Sequence, residues 1–533
     1  MFPTRFGVGS PARAEVGWAL ARLTPPRALY GAAGILFGPD GRLYVAQPNG
    51  SQLSAIDIAS GAVDVVSPKG SELVAMDDLA FDSRGVAYLS ETMYHRVTAL
   101  HPDGTVRRIA SGVIDVNGIT CDNDRIFADE CRVGGRVCEV FRDGSPPMVL
   151  AEGLAAPNAL ALGPDGYLYV PEVLAGQVSR VPVDGGAPEV VVSGIPVPVA
   201  VKFDGKGRLV VASGATGELI EFDVAARRGR TLATVRIGLD NLAFSPEGRL
   251  FVSWSVDGGI SEVADGREIA SVVPAGLMFP LGLAVTKDGR IFAADNIAVQ
   301  EVSRAGAVAT AASFFTPGFP GPVRGLALTS EERLVVTTTG GRVSCFDPVE
   351  GSNEVWADGL AEPTGIARLA DGSMVVAETG AGRVLKVARG KVIELVDGLS
   401  RPTGVATGRG GSIYVAETAE GRVMRVGGPG RVEQVAGALA EPQGIAVLGD
   451  EIAVLEVGAG TLTMMPTSGF ARRVIVRGLP LGSPPGVVAK PLPGLELMPG
   501  PLTQFADLAV GPDGEIVIGA DGDGSLLRLE ANG

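Results

Sequence analysis

Asp77, Asn117, Asn158 and Asp240 are the side chains here whose type and spacing best suit chemistry. Each stands just ahead of a short apolar run, in a series whose members follow one another at 39 to 44 residues in nearly every case. Two carboxylates and two amides brought to one point form an all-oxygen set. A hard divalent cation takes such donors at about 2.3–2.6 Å. Ca²⁺ is the expected ion, with Zn²⁺ or Mn²⁺ as alternatives. A cation there polarises a carbonyl or activates a bound water, with Asp77 or Asp240 as general base, so hydrolysis of a lactone or ester is the natural reaction class. The same residues also suit a plainer task, since Asn and Asp at strand starts cap turns by binding backbone N–H groups.

A second acidic series, Glu91, Glu130, Glu172, Asp295, Glu378, Glu417 and Glu456, closes later apolar runs. In three cases an Arg follows at fixed spacing, Glu91 with Arg96, Glu378 with Arg383 and Glu417 with Arg422, which predicts hairpin ion pairs. Glu130 and Glu172 lack that Arg and follow Asn117 and Asn158. Glu130 is therefore a catalytic candidate, and Glu172 a substrate-binding candidate together with Trp254. His95 lies in the hairpin of the unit that starts at Asp77 and is a candidate base; its alternative is a surface position in the stretch YHRV. His101, in a PDG turn, reads as solvated. With only these two histidines, a multi-histidine metal site is excluded. Cys121, Cys131, Cys138 and Cys345 are too few and too irregularly spaced for a disulfide scaffold or a CxxC zinc site. The DGDG of residues 521–524 lacks full EF-hand spacing and reads as a turn.

These residues are positioned by a repeat. RPTGVATGRGGSIYVAETAEGRVMRV, from Arg401, aligns with EPTGIARLADGSMVVAETGAGRVLKV, from Glu362. Each unit reads as four short strands separated by PDG-like and Gly-rich turns, which is one antiparallel propeller blade. The unit starts are Ala33, Asp77, Asn117, Asn158, Val199, Asp240, Leu281, Arg324, Thr364, Thr403, Gln443 and Ala506. Twelve units predict an all-β chain of two tandem six-bladed propellers, because single rings usually have about 4–8 blades. The last unit stops after its third strand, and an orphan strand, EVGWALARL, precedes the first. The expectation is that each ring is closed by its own N-terminal outer strand: EVGWALARL completes the sixth blade, and REIASVV (267–273) the twelfth. That gives domains 1–265 and 266–533. A Pro-rich insertion, 479–504, should emerge on the ligand face of the second ring as a semi-rigid flap, pack between the rings or contact a partner.

The phrases PDGRLYVA, AETGAGRVLKV and ETMYHRVTALHPDG resemble the NHL-repeat, streptogramin lyase and SMP-30/gluconolactonase group of six-bladed propellers. The lactonases of that group imply a divalent cation on the axis, held by Glu, Asn and Asp, with a further Asn on the substrate. Their blade order is Glu, blank, Asn, Asn, Asp, blank. This first ring, started at Asp240, reads Asp240, blank, Asp77, Asn117, Asn158, blank. The group's basic residue before the substrate-contacting Asn has no counterpart, since Ala75 and Met76 precede Asp77. The resemblance thus implies a metal-dependent hydrolase in the first ring. It also leaves open a non-catalytic NHL-like binding pair, or a lyase or cyclase acting on a natural-product scaffold. The second ring, with Leu281, Arg324, Thr364, Thr403, Gln443 and Ala506 at its strand starts, looks unfit for a metal.

Composition narrows the partners. In 533 residues, Lys+Arg 45 against Asp+Glu 60 gives a net charge of −15, which repels nucleic-acid phosphates and anionic lipid surfaces. No run reaches the roughly 20 apolar residues of a membrane helix, and the start lacks the pattern of a secretion signal. A cytoplasmic protein with a small-molecule substrate is expected, with a partner protein at a propeller top face as the alternative.

Overall fold

The computed structural model describes residues 5–7, 11–122, 124–428, 430–469 and 471–532. The described residues are all-β, in twelve antiparallel sheets: eleven have four strands and one has five. Two compact units result. One contains Leu29–Ala275 with Val488–Leu497, and the other Met1–Ala28, Gly276–Val487 and Met498–Gly533. No helix among the described residues is long and apolar enough to cross a membrane.

Blade 10 shows how sequence makes a blade. Its strands are Pro402–Thr407, Ile413–Glu417, Arg422–Gly428 and Arg431–Ala436. The second, IYVAE, is apolar without alternation and buried at every residue, because both of its faces pack against other blades. Val405, Ile413, Val415, Met424 and Val426 close one such seam against Val375, Ala377 and Val384 of blade 9. The fourth strand, RVEQVA, is mostly exposed, and its Arg431 and Glu433 put charge on an outer edge that would otherwise invite pairing.

In each unit the innermost strands contact one another in a closed cycle of six. In the first ring, Ile35–Phe37 neighbours both Met76–Phe81 and Leu239–Phe244. Ile35, Leu43 and Val45 pack with Ala243, Phe251 and Ile260 across that closing seam, and Ser253 Oγ donates to the Ala33 carbonyl at 2.7 Å.

Closure differs from the sequence expectation. Arg267–Val273 pairs with Ile260–Ala264 in its own blade, with Ala264 opposite Arg267. The two residues between them, Asp265 and Gly266, both have positive φ (51° and 79°). That is the turn a tight hairpin favours, and Asp-Gly supplies it. The expected boundary at Asp265 therefore falls inside a hairpin, and REIASVV does not reach the twelfth blade. The orphan strand does instead: Trp18–Arg22 pairs with Ser525–Ala531, from Trp18 opposite Ala531 to Arg22 opposite Leu527. The first ring thus needs no outside strand, whereas the second is completed by the N-terminal segment. Arg13–Ala14 adds a fifth strand to blade 11 by pairing with Arg473–Arg477. Deleting residues 1–22 bares the edge of Ser525–Ala531 and should lower the calorimetric melting temperature by about 10 °C; an unchanged transition would mean that this pairing contributes nothing to stability.

The Pro-rich insertion is divided. Residues 488–497 belong with the first ring, where Lys490 Nζ donates to the Glu72 carbonyl at 3.2 Å, Tyr94 Oη to the Pro491 carbonyl at 2.7 Å, and the Glu496 N–H to Asp115 Oδ2 at 3.0 Å. Residues 498–504 stay with the second ring, where the Thr503 carbonyl accepts from Arg324 Nη2 at 3.1 Å.

Candidate functional site

The first strands of blades 2, 3 and 6 deliver acidic and amide side chains to the axis of the first ring. Asn117 Nδ2 donates to Asp77 Oδ2 at 2.6 Å, and Asn117 Oδ1 accepts the Ala159 N–H at 3.4 Å. Asp77 and Asp240 are half-buried, and Asn117 is buried. Asn158 is close by but points its amide nitrogen at Cys131 Sγ, 3.7 Å away.

Behind these stand two carboxylates that sequence reasoning missed. Asp78, 1% exposed, accepts the Ile119 N–H at 3.3 Å and Asn241 Nδ2 at 3.4 Å. Asp129, fully buried, accepts the Gly118 N–H at 2.9 Å and the Leu160 N–H at 3.3 Å. Each ties one blade to another. Glycine makes room for them: a Cβ on Gly34 would lie 2.6 Å from Asp78 Oδ1, and one on Gly118 2.5 Å from Asp129 Oδ2. A signal was present in the repeat, because the position after the unit start is Gly34, Gly118, Ala159 and Ala200 in the other blades, and Asp78 and Asn241 depart from it. Asp129 occupies the place of Ser90 and Ser253, whose hydroxyls accept the first-strand N–H groups of Asp78 and Asn241.

The cluster is electrostatically loaded. Burial, then repulsion from Asp240, Asp78 and Asp129, holds the Asp77 carboxyl well above the usual range, against the Asn117 hydrogen bond. Burial takes Asp129 to about 8, opposed by the Gly118 N–H. It takes Asp240 to about 6, opposed by the Ser255 hydroxyl. Asp78 is also raised by burial, with Lys202 pulling the other way. Carboxylates crowded in this way need protons or a cation.

A pH dependence follows. The folded protein keeps protons on these groups that the unfolded chain releases near 3.8. Stability of the cation-free protein therefore falls as pH rises from about 4 through the ranges of Asp240, about 6, and Asp129, about 8. Melting scans in chelator from pH 5 to 9 should show this decline, and Asp129→Asn should flatten it; a decline of the same slope in the variant would show that Asp129 is not its source.

The second acidic series is structural throughout. Glu91 Oε2 accepts the Val74 N–H at 2.9 Å and Arg96 Nη2 at 2.5 Å. Glu417 Oε1 accepts the Ser400 N–H at 2.6 Å, while its Oε2 accepts Arg422 Nε, also at 2.6 Å. Glu130, expected to be catalytic, does the same work: it accepts the Ile114 N–H at 2.8 Å and is clamped by Arg136 at 2.5 Å and Arg132 at 3.2 Å. The Arg is present but lies six residues on instead of five. Glu172 accepts the Ala155 N–H at 2.9 Å, with Gln177 at 2.8 Å and Ser179 at 2.5 Å in place of an Arg. Both are buried locks on the loop entering their blade, with their oxygens already committed.

Trp254 is likewise engaged within the fold. It is fully buried, donates Nε1 to the Arg236 carbonyl at 3.0 Å and lies under the Arg236 guanidinium at 3.4 Å. His95 turns toward Asp115. With φ at 53° it follows a short 3₁₀ turn, and its Nδ1 accepts the Asp115 N–H at 2.9 Å, which spends the lone pair a base on that nitrogen would use. Of the expected site residues, Asp77, Asn117 and Asp240 come together, Asn158 lies beside them, and His95, Glu130, Glu172 and Trp254 serve elsewhere.

Among the described residues no three His, Cys, Asp or Glu side chains group as a metal cage. A cation would therefore rest on a mixed set of carboxylate and amide oxygens. Asp77 with the two amides would supply such a set: turning the Asn117 oxygen toward Asp77 gives up its hydrogen bond from the Ala159 N–H, and Asn158 has its nitrogen on Cys131.

No family model and no curated protein matches the chain. Solved structures do. A gluconolactonase from Xanthomonas campestris is 19% identical, over 48% of this chain and 94% of that one, with a TM-score of 0.38. A calcium-binding regucalcin from Agrobacterium tumefaciens is 18% identical, over 44% and 85%, at 0.36. A putative gluconolactonase is 17% identical, over 48% and 95%, at 0.38. At these identities and TM-scores the likenesses carry neither fold nor site residue across.

Proposed function

We propose that the chain is a hydrolase for a lactone or ester, of the SMP-30/gluconolactonase type, acting at the axis of the first ring with a hard divalent cation. The observation that carries this reading is the cluster of Asp77, Asn117 and Asp240 backed by buried Asp78 and Asp129. Asp77, Asn117 and the oxygen of Asn158 would hold the cation, Ca²⁺ in the first instance. When bound, it supplies charge stabilisation at a substrate carbonyl oxygen and offsets the repulsion among the carboxylates. Asp240, titrating at about 6, is ionised at neutral pH and basic enough to take a proton from an attacking water. Asp78 and Asp129, both hydrogen-bonded to backbone N–H groups of neighbouring blades, hold the strand starts in register and keep the acidic wall rigid. The test is a screen of lactones and carboxylic esters with chelator-treated protein, with and without added Ca²⁺, Mn²⁺ or Zn²⁺. Cation-dependent hydrolysis is expected; turnover that is indifferent to chelation would overturn the cation's part.

A further inference from the structure

The strand starts of the second ring carry both signs of charge: Asp507, half-buried, accepts the Leu283 N–H at 3.2 Å. Arg324 occupies the unit-start position there, and its side chain is 1% exposed. Nη2 donates to the Thr503 carbonyl at 3.1 Å. Nε and Nη1 are buried and make no hydrogen bond. Glu362 Oε1 is 3.6 Å from Nη1, beyond hydrogen-bond range. The Glu362 carboxylate favours the charged guanidinium and Arg401 disfavours it. Glu362 is thus the one carboxylate at ion-pair distance from the guanidinium among the described residues, and no hydrogen bond joins them.

A buried charge with unspent donors is costly unless something pairs with it. The covering segment adds to this, since Gln504, next to Thr503, has a buried Nε2 with no hydrogen bond. The next two blades are satisfied: Thr364 and Thr379 share a hydrogen bond of 2.6 Å, as do Thr403 and Thr418 at 2.8 Å. The unmet demand is concentrated at the guanidinium.

We propose that the axis of the second ring is a binding site for a small carboxylate, with Arg324 as its anchor, Glu362 as the group it competes with and residues 499–504 as its cover. Thr339 Oγ1 bonds the Pro499 carbonyl and Thr503 reaches Glu362, so the cover is fastened on both sides of the site. The planar guanidinium, with Nε and Nη1 unspent, suits a carboxylate. This site is separate from the acidic axis of the first ring and does not depend on the hydrolase reading.

The probe is acetate, exchanged for chloride at constant ionic strength on the whole protein, with binding read by calorimetric titration and by the shift in melting temperature. Wild type should bind one acetate per chain and melt higher in acetate than in chloride. Glu362→Gln removes the competing charge and should tighten binding by about 10-fold, and Arg324→Gln should abolish it. No effect of acetate on either wild type or Glu362→Gln overturns the proposal, as does binding that survives in Arg324→Gln. If Arg324→Gln does not fold, Glu362→Gln decides: tighter binding supports the site, and unchanged or weaker binding overturns it.

Discussion

Asp240→Asn should lower the rate of lactone or ester hydrolysis by about 10²–10⁴-fold, the usual yield of a positioned general base, while leaving cation affinity within a few-fold of wild type. Asp77→Asn should do the reverse, weakening cation binding by about 100-fold or more and losing turnover with it. Without cation at pH 8, Asp77→Asn should also melt higher than wild type, because it removes the carboxyl on which burial and the charges of Asp240, Asp78 and Asp129 all bear. Raised stability with lost activity separates a strained functional group from a structural one. If the variant melted lower, Asp77 would be a cap that stabilises its turn.

Glu130→Ala should cost about 3–5 kcal/mol, the penalty for removing one partner of a buried charged pair, because it strands Arg136 and the Ile114 N–H. Glu417→Ala should cost a similar amount, since Glu417 makes the same lock with Ser400 and Arg422 in the second ring. Specific activity per folded molecule should survive at Glu130. Denaturant melts and active-site-normalised rates check both halves, and a loss of rate without a loss of stability would return Glu130 to catalysis.

The blades were legible in the sequence because each repeats the same physics: fully apolar second strands such as MVVAE and IYVAE, Gly at turn positions and charge on outer strands. Ring closure was misread because an outer strand looks alike wherever it pairs. Asp265-Gly266 favours a local hairpin, and once Arg267–Val273 is used at home the twelfth blade is left short of a strand, which Trp18–Arg22 supplies. The site was legible in part. Spacing located Asp77, Asn117 and Asp240, but Asp78 and Asp129 act through side chains that cross to other blades, which no single unit reveals. Glu130 misled because its Arg arrives one residue late, and His95 because a hairpin position does not say which way its nitrogens are used.

The most direct measurement is a calorimetric titration of chelator-treated protein with Ca²⁺, repeated with Mn²⁺ and Zn²⁺ and with Asp77→Asn, at pH 5 and pH 8. The acidic axis predicts one cation per chain at pH 8, weaker binding at pH 5 where protons occupy carboxyls that titrate at about 6 and about 8, and none in Asp77→Asn. Absence of binding by all three ions, or binding that Asp77→Asn leaves intact, would contradict it.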